Sequence, residues 1–221
     1  RFFFFFQISE SRKTLAPIFK ITILDKKLRS KAEILLLDIL ERQMWLFRPN
    51  TPEFLHAQRN YLQQLRKISH YQWPIERLET FAKNAFAFGD TALAKELYYQ
   101  LIYSAPAINL QWFDRIAQLY LAEGHYRAAA RILFQAMPHT TSLQQRRSYF
   151  LAGVKALQSG NLWPDAMSAA QTYAGVLLND PTILEFLARL ALSANRPDLA
   201  QYYVSLLLQQ RISPPATGVS P

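Results

Sequence analysis

Phe86-Ala87-Phe88-Gly89-Asp90-Thr91-Ala92-Leu93-Ala94 closes one apolar segment, turns on a glycine and opens a second apolar segment that carries an alanine. The same punctuation returns at Gly124, Gly160 and Asn195, at spacings of 35, 36 and 35 residues. An alanine follows each turn within six residues: Ala94, Ala129, Ala166 and Ala200. A helix–turn–helix unit that returns every ~34 residues marks a tetratricopeptide array. Such arrays present an extended binding surface. Glycine, and next to it asparagine, suits the left-handed turn between two antiparallel helices. The alanine fits where the two helices cross.

Large apolar residues recur at i, i+3, i+7 before each turn, marking one buried helix face. They are Leu78, Phe81 and Ala85; Phe113, Ile116 and Tyr120; Tyr149, Ala152 and Ala156; Leu184, Leu187 and Ala191. The second helices supply Tyr98 and Leu101, Leu133 and Ala136, Ala170 and Tyr173, Val204 and Leu207. Tyr98-Tyr99 and Tyr202-Tyr203 are each expected to point one ring in and one out. Pro106 closes the first repeat, as in the repeat family. The motif is otherwise degenerate: no repeat has the family's Trp, and only the third has its small-residue pair, as Ala152-Gly153. Pro74, Pro181 and Pro197 suit first helical positions. Asp90, Asn161 and Asp180 suit N-caps. The third repeat is longer, with Trp163-Pro164 inserted at the start of its second helix and Leu177-Leu178-Asn179 before the next repeat.

The predicted fold is all-α, a right-handed solenoid of tetratricopeptide-type helix pairs. Four repeats span 74–210. Residues 27–73 read as a diverged pair, a cap or degenerate repeat, with helices over 27–47 and 54–68 joined by Pro49-Asn50-Thr51-Pro52. A disordered tail is expected over 211–221. Residues 1–26 are irregular or strand-like. Phe2 to Phe6 starts a stretch, 2–8, that is compatible with a strand pairing with 18–24 or with the stub of a truncated helix; exposed alone, such a run favours aggregation. Arg1 in place of Met, and the loop-like Ser213-Pro214-Pro215-Ala216-Thr217-Gly218, lead to the expectation of a piece of a longer protein.

Half of the 221 residues are hydrophobic and none is cysteine, which removes disulfides, zinc–thiolate sites and thiol nucleophiles. No stretch reaches the ~20 apolar residues of a membrane span, and no signal-peptide pattern is present. The net charge of +9 is uneven. Residues 1–73 hold 13 Lys/Arg against 6 Asp/Glu, a net +7, and residues 74–221 hold 12 against 10, a net +2. Arg12-Lys13, Lys26-Lys27-Arg29-Lys31 and Arg66-Lys67 contain the raw material of a nucleic-acid or membrane-surface stripe, but solvated helix faces account for them more simply.

Nothing points to catalysis. His56, His70, His125 and His139 are scattered, without metal-ligand spacing. Glu76 and Glu79 share a helix face, where the macrodipole at a helix start favours them. There is no phosphate loop and no nucleophile motif; no cofactor and no metal is expected. The first helix of each repeat lines the groove of such an array, so the expected binding residues lie between its core positions: Glu76, Glu79 and Lys83; Asp114 and Gln118; Arg147, Phe150 and Gln158; Glu185 and Arg189. They form a mixed, slightly acidic surface suited to a peptide or helix of a partner protein.

Several segments resemble the periplasmic repeats of the PelB family, the tetratricopeptide component of the bacterial Pel exopolysaccharide system. They are Trp73-Pro74-Ile75-Glu76-Arg77-Leu78, the Phe86 to Ala94 turn, Arg147-Ser148-Tyr149-Phe150-Leu151-Ala152 with Ala156-Leu157-Gln158-Ser159-Gly160-Asn161, and Leu184 to Leu192 with Asn195-Arg196-Pro197-Asp198-Leu199-Ala200. The resemblance covers about residues 70–210 and is loose. It implies a periplasmic scaffold within a longer, membrane-anchored protein; a cytoplasmic adaptor is the alternative. It also implies a cationic, partly deacetylated sugar polymer and its modifying enzyme as partners. It offers no residue-level site motif, and the basic N-terminal third does not match a track for a cationic polymer.

Overall fold

The computed structural model describes residues 26–68 and 73–212. The strand-or-stub reading of 1–26 falls almost wholly outside them, as does the expected tail of 211–221 except at residues 211 and 212, which continue the last helix instead. The described residues form ten α-helices and no strand. These are α1 (Lys26–Met44), α2 (Pro52–Lys67), α3 (Ile75–Ala87), α4 (Thr91–Ser104), α5 (Leu110–Ala122), α6 (Tyr126–Ala136), α7 (Leu143–Ser159), α8 (Trp163–Tyr173), α9 (Pro181–Ser193) and α10 (Pro197–Ile212). Short 3-10 turns, Met137–His139 and Gly175–Asn179, follow α6 and α8. The fold is all-α and built of tetratricopeptide-type pairs: α3 packs on α4, α5 on α6, α7 on α8 and α9 on α10, with α1 on α2 ahead of them.

Two compact units meet at residue 107/108. That boundary cuts the predicted 74–210 block, so α3 and α4 group with α1 and α2. In the first unit Met44, Phe54 and Ala57 form a core cluster against Phe47 and Phe88, and Tyr61 meets Phe88 edge-on at 6.0 Å. Trp73 meets Phe81 at 4.6 Å. Neighbouring pairs are tied by polar bonds. Arg77 holds the Asp38 carboxylate with two bonds of 3.1 Å. Asn84 donates to Tyr61 Oη at 3.0 Å and to Glu41 at 3.3 Å. Arg66 reaches Asp90 at 2.7 Å, while Asp90 caps α4 by accepting from the Leu93 N–H. Burial pushes the Tyr61 phenol up, the Asn84 bond lowers it, and the Glu41 and Asp38 charges raise it further.

In the second unit α6 packs on both α5 and α7, and α8 on both α7 and α9. The docking of α7 on α6 depends on two small residues. A Cβ on Gly153 would lie 2.6 Å from Phe134 Cε1, and one on Gly160 would lie 2.5 Å from Tyr126 Cδ2. Phe134 is also stacked on Tyr173, at 4.2 Å.

The turns follow one pattern. Gly89, Gly124 and Asn195 have φ of 76°, 74° and 56°. In the third repeat the left-handed residue is Asn161, φ 58°, not Gly160, whose φ is −85°. Gly160 is required instead by the Tyr126 ring, and Asn161 is therefore not the N-cap; Leu162 is. Pro181 and Pro197 open α9 and α10, whereas Pro74 is one residue early, at the N-cap of α3.

Two helix faces differ from the sequence expectation. On α7 the buried residues are Phe150, Gly153, Val154, Ala156 and Leu157, with Tyr149 and Ala152 only half-buried. The run from Tyr149 to Val154 is apolar or small throughout, so periodicity leaves the inward face open, and the two glycine seats settle it. On α10 Ala200 and Tyr203 are buried while Val204 is 45% exposed, and on α8 Tyr173 is 42% exposed. The four crossing alanines are buried as expected.

Two substitutions separate the roles of these glycines. Gly124→Val puts a branched side chain at φ 74° and should cost about 1 kcal/mol or more. Gly160→Ala leaves an ordinary φ but forces a methyl into the Tyr126 ring and should cost about 1–3 kcal/mol. Asn161→Gly should stay within about 0.5 kcal/mol of wild type. Urea denaturation curves measure all three; a Gly160→Ala midpoint equal to wild type would remove the glycine seat.

Candidate functional site

Of the ten sequence-predicted binding residues, three lie in the first unit and seven in the second. On α3, in the first unit, Glu76 is exposed and Glu79 is paired with Lys83 at 2.9 Å. In the second unit Gln118 accepts from Arg115 at 3.1 Å. Gln158 is half-buried near the end of α7, and on α9 Glu185 is half-buried and Arg189 exposed. Arg147 binds Asp180 at 2.9 Å. Phe150 is 0% exposed. It is a core residue and not a groove residue, because the α7 face turns one position from the expected one.

Asp180 shows what Arg147 does. Its carboxylate accepts from the Thr182 N–H at 2.9 Å and the Thr182 hydroxyl at 2.6 Å, capping α9. Desolvation works against the charge, but the bonds from Thr182, the Arg147 charge and the Ile183 N–H hold the carboxyl below the usual aspartate range. Arg147 thus links α7 to the start of α9.

Asp114 lines a cleft. That cleft lies within the second unit, between α5 and the first half of α7, and has a volume of about 450 Å³. Leu110, Leu133 and Ala152 supply its apolar lining, and Gln111, Gln144, Gln145 and Ser148 its polar lining. Local structure positions the polar groups. Ser142 caps α7 by accepting from the Gln145 N–H at 3.2 Å, and the Gln145 side chain accepts in return from the Thr141 N–H at 3.1 Å. This reciprocal bonding fixes the start of α7.

Asp114 and Tyr149 stand beside each other in the cleft lining. The Tyr149 hydroxyl donates to the Leu110 carbonyl at 3.4 Å and stands within hydrogen-bonding reach of the Asp114 carboxylate. Burial pushes the Asp114 carboxyl above the ordinary aspartate value, outweighing the Tyr149 bond and the Arg115 charge, which lower it. Burial, then the bond to Asp114 and its charge, push the Tyr149 phenol up. Tyr149 is the residue that sequence reasoning missed: it occupied an assumed core position. Its pairing with Asp114, 35 residues earlier, is the repeat length itself, the one signal that points to it.

A second cleft, about 400 Å³, lies within the α1–α2 hairpin, lined by Leu40, Gln43, Phe47 and Pro52 with Glu53, His56, Ala57 and Asn60. It belongs to a single hairpin and contains none of the predicted residues. Among the described residues no group of His, Asp and Glu could hold a metal ion, and no helix is long and apolar enough to cross a membrane.

No family model matches the chain, and no curated protein matches it. Among solved structures it is similar to MamA residues 41-end from Desulfovibrio magneticus RS-1, at 13% identity and TM-score 0.38, covering 83% of this chain and 98% of that one. It is similar to MamA from AMB-1 at 11% identity and TM-score 0.41, covering 83% and 94%. It is also similar to a putative kinesin light chain of Podosopora anserina with TPR-like repeats, at 16% identity and TM-score 0.40, covering 94% and 95%. The fold assignment rests on the helix pairs themselves.

The raised carboxyl of Asp114 gives a signed expectation. A group whose folded pKa is raised favours the folded state fully below the unfolded value of ~3.9, and that contribution is lost as pH rises through the folded value. Asp114→Asn keeps an acceptor for Tyr149 and removes the ionisation. Its unfolding midpoint should equal wild type at pH 3 and exceed it at pH 7. A midpoint below wild type at pH 7 would show that the carboxylate stabilises the fold. Asp180→Ala, by contrast, should cost about 1 kcal/mol at pH 7 as a lost cap, measured in the same way.

Proposed function

We propose that the chain is a non-catalytic scaffold that holds a protein partner against the first helices of its repeats, with the α5–α7 cleft as the principal contact. The observation that carries this reading is Asp114. It is a half-buried carboxylate at an open cleft with an apolar lining and a polar rim, where burial disfavours its charge. Charges kept at the expense of stability mark sites that serve something other than the fold. A peptide or helix laid in a groove uses such a mixture of apolar floor and polar rim.

A finer reading rests on the resemblance of residues 70–210 to the PelB repeats. In it the scaffold is periplasmic, part of a longer membrane-anchored protein, and supports export of a bacterial exopolysaccharide while docking the enzyme that modifies the polymer. The near-neutral charge of residues 74–221, 12 Lys/Arg against 10 Asp/Glu, is compatible with a cationic polymer passing close by.

Ser148 is exposed at the cleft, so Ser148→Trp should fill it with less than ~0.5 kcal/mol of change in stability. Titration calorimetry of the wild type and this variant against the cognate polysaccharide-modifying enzyme, and against a galactosamine-type oligomer, tests both readings. At least tenfold weaker binding of the enzyme by the variant is expected. Equal binding by both proteins would move the contact elsewhere. No binding of enzyme or oligomer, with capture of an unrelated peptide that Ser148→Trp abolishes, would leave the adaptor and remove the export role.

A further inference from the structure

Three kinds of surface converge in the α5–α7 cleft. Leu110, Leu133 and Ala152 make an apolar floor. The Tyr149 ring, half-buried, stands at its side. The Asp114 carboxylate stands within hydrogen-bonding reach of the Tyr149 hydroxyl, which leaves further acceptor positions on its two oxygens. Gln111 and Gln144 are exposed at the rim.

Three arginines of the second unit bind other groups, although the charge of Arg115 also reaches Asp114. Arg115, adjacent to Asp114, donates to Gln118. Arg147 binds Asp180, and Arg127 binds Asp165 at 2.6 Å. Burial still outweighs the help that Asp114 receives from Tyr149 and Arg115. A partner that covers this cleft removes still more water from the carboxylate, which is costly unless the partner brings a positive charge.

Building on the scaffold reading above, we propose that the cleft receives a lysine side chain of a partner protein. Its ammonium sits on Asp114 and beside the Tyr149 ring, and its methylene stem lies on Leu110, Leu133 and Ala152. The chemistry selects this occupant over the others. An ammonium is a compact charge that one free carboxylate oxygen satisfies, whereas a guanidinium is best matched by both oxygens of a carboxylate, and Tyr149 already engages Asp114. A cation beside an aromatic ring gains further attraction. A long apolar stem uses the floor while its charged head stays at the polar end. An aminosugar carries its ammonium on a polar ring and would leave that floor facing hydroxyls.

The test uses the full 221-residue chain, isotopically labelled, and amide NMR spectra at pH 7. The probe is a capped pentapeptide with a central lysine flanked by alanines. Its controls are the same peptide with norleucine, with arginine, and a glucosamine oligomer. Saturable shifts of the Asp114 and Tyr149 amides and their neighbours on α5 and α7 are expected with the lysine peptide. Binding should be about tenfold weaker for norleucine, and about tenfold weaker for Asp114→Asn, since a charge-assisted bond is lost in each case. Norleucine binding as tightly as lysine would overturn the proposal and leave an apolar docking cleft, with the scaffold reading intact. Arginine binding more tightly than lysine would overturn the choice of ammonium. Shifts with the glucosamine oligomer and none with lysine would assign the cleft to a polymer, and no shift there with any probe would also overturn it. Failure of the scaffold reading is a separate outcome, read from Ser148→Trp and the modifying enzyme.

Discussion

A single backbone conformation organises every pair from α3 onward: one residue held at positive φ between two antiparallel helices. Gly89, Gly124, Asn161 and Asn195 occupy it. Each time, the next N–H bonds the carbonyl five residues back: Asp90 to Ala85, His125 to Tyr120, Leu162 to Leu157 and Arg196 to Ala191, at 2.8–3.0 Å. This bond satisfies a helix-end carbonyl and fixes the direction in which the second helix departs. It also sets the register, since Ala94, Ala129, Ala166 and Ala200 each stand five residues after the left-handed position. L residues other than asparagine and aspartate resist that conformation, so the chain can turn there only with glycine or a residue whose short polar side chain tolerates it.

Within each unit, neighbouring pairs are joined by polar ties of a repeated kind. Arg77 with Asp38 and Arg147 with Asp180 tie one first helix to another. Arg66 with Asp90 and Arg127 with Asp165 do the same for second helices. Exposed pairs contribute little stability each, about 0–1 kcal/mol. Their consequence is positional: the apolar faces decide that pairs stack, and these bonds help decide at which offset. Some charges that look available on a helical pattern are therefore already committed, and Arg147 is the clearest case. Asp114, whose tie is to an uncharged phenol, is left with capacity for something from outside.

The α6–α7 contact shows a different constraint. Gly153 and Gly160, seven residues apart on one face of α7, admit Phe134 and Tyr126 from α6. The backbone of α7 approaches rings where any other residue would interpose a Cβ. That seat rotates α7 so that Phe150 turns into the core while Tyr149 moves to the edge. The hydroxyl of Tyr149 then meets Asp114, and the cleft takes its composition from this rotation.

The sequence by itself determined the helix pairs, their number over 74–210, and three of the four left-handed turns. Glycine, asparagine and proline act through local backbone sterics, and an i, i+3, i+7 face is a property of one helix. The constant five-residue step to each alanine would have placed the fourth turn at Asn161 as well. What only the tertiary structure decided was which face of α7 turns inward, which charges are spent between neighbouring pairs, and that Asp114 meets Tyr149. From Tyr149 to Val154 every residue is apolar or small, so the helical pattern of that stretch is satisfied by more than one rotation. The choice is made by rings on another helix, and a burial decided between two helices is not a property of either one alone.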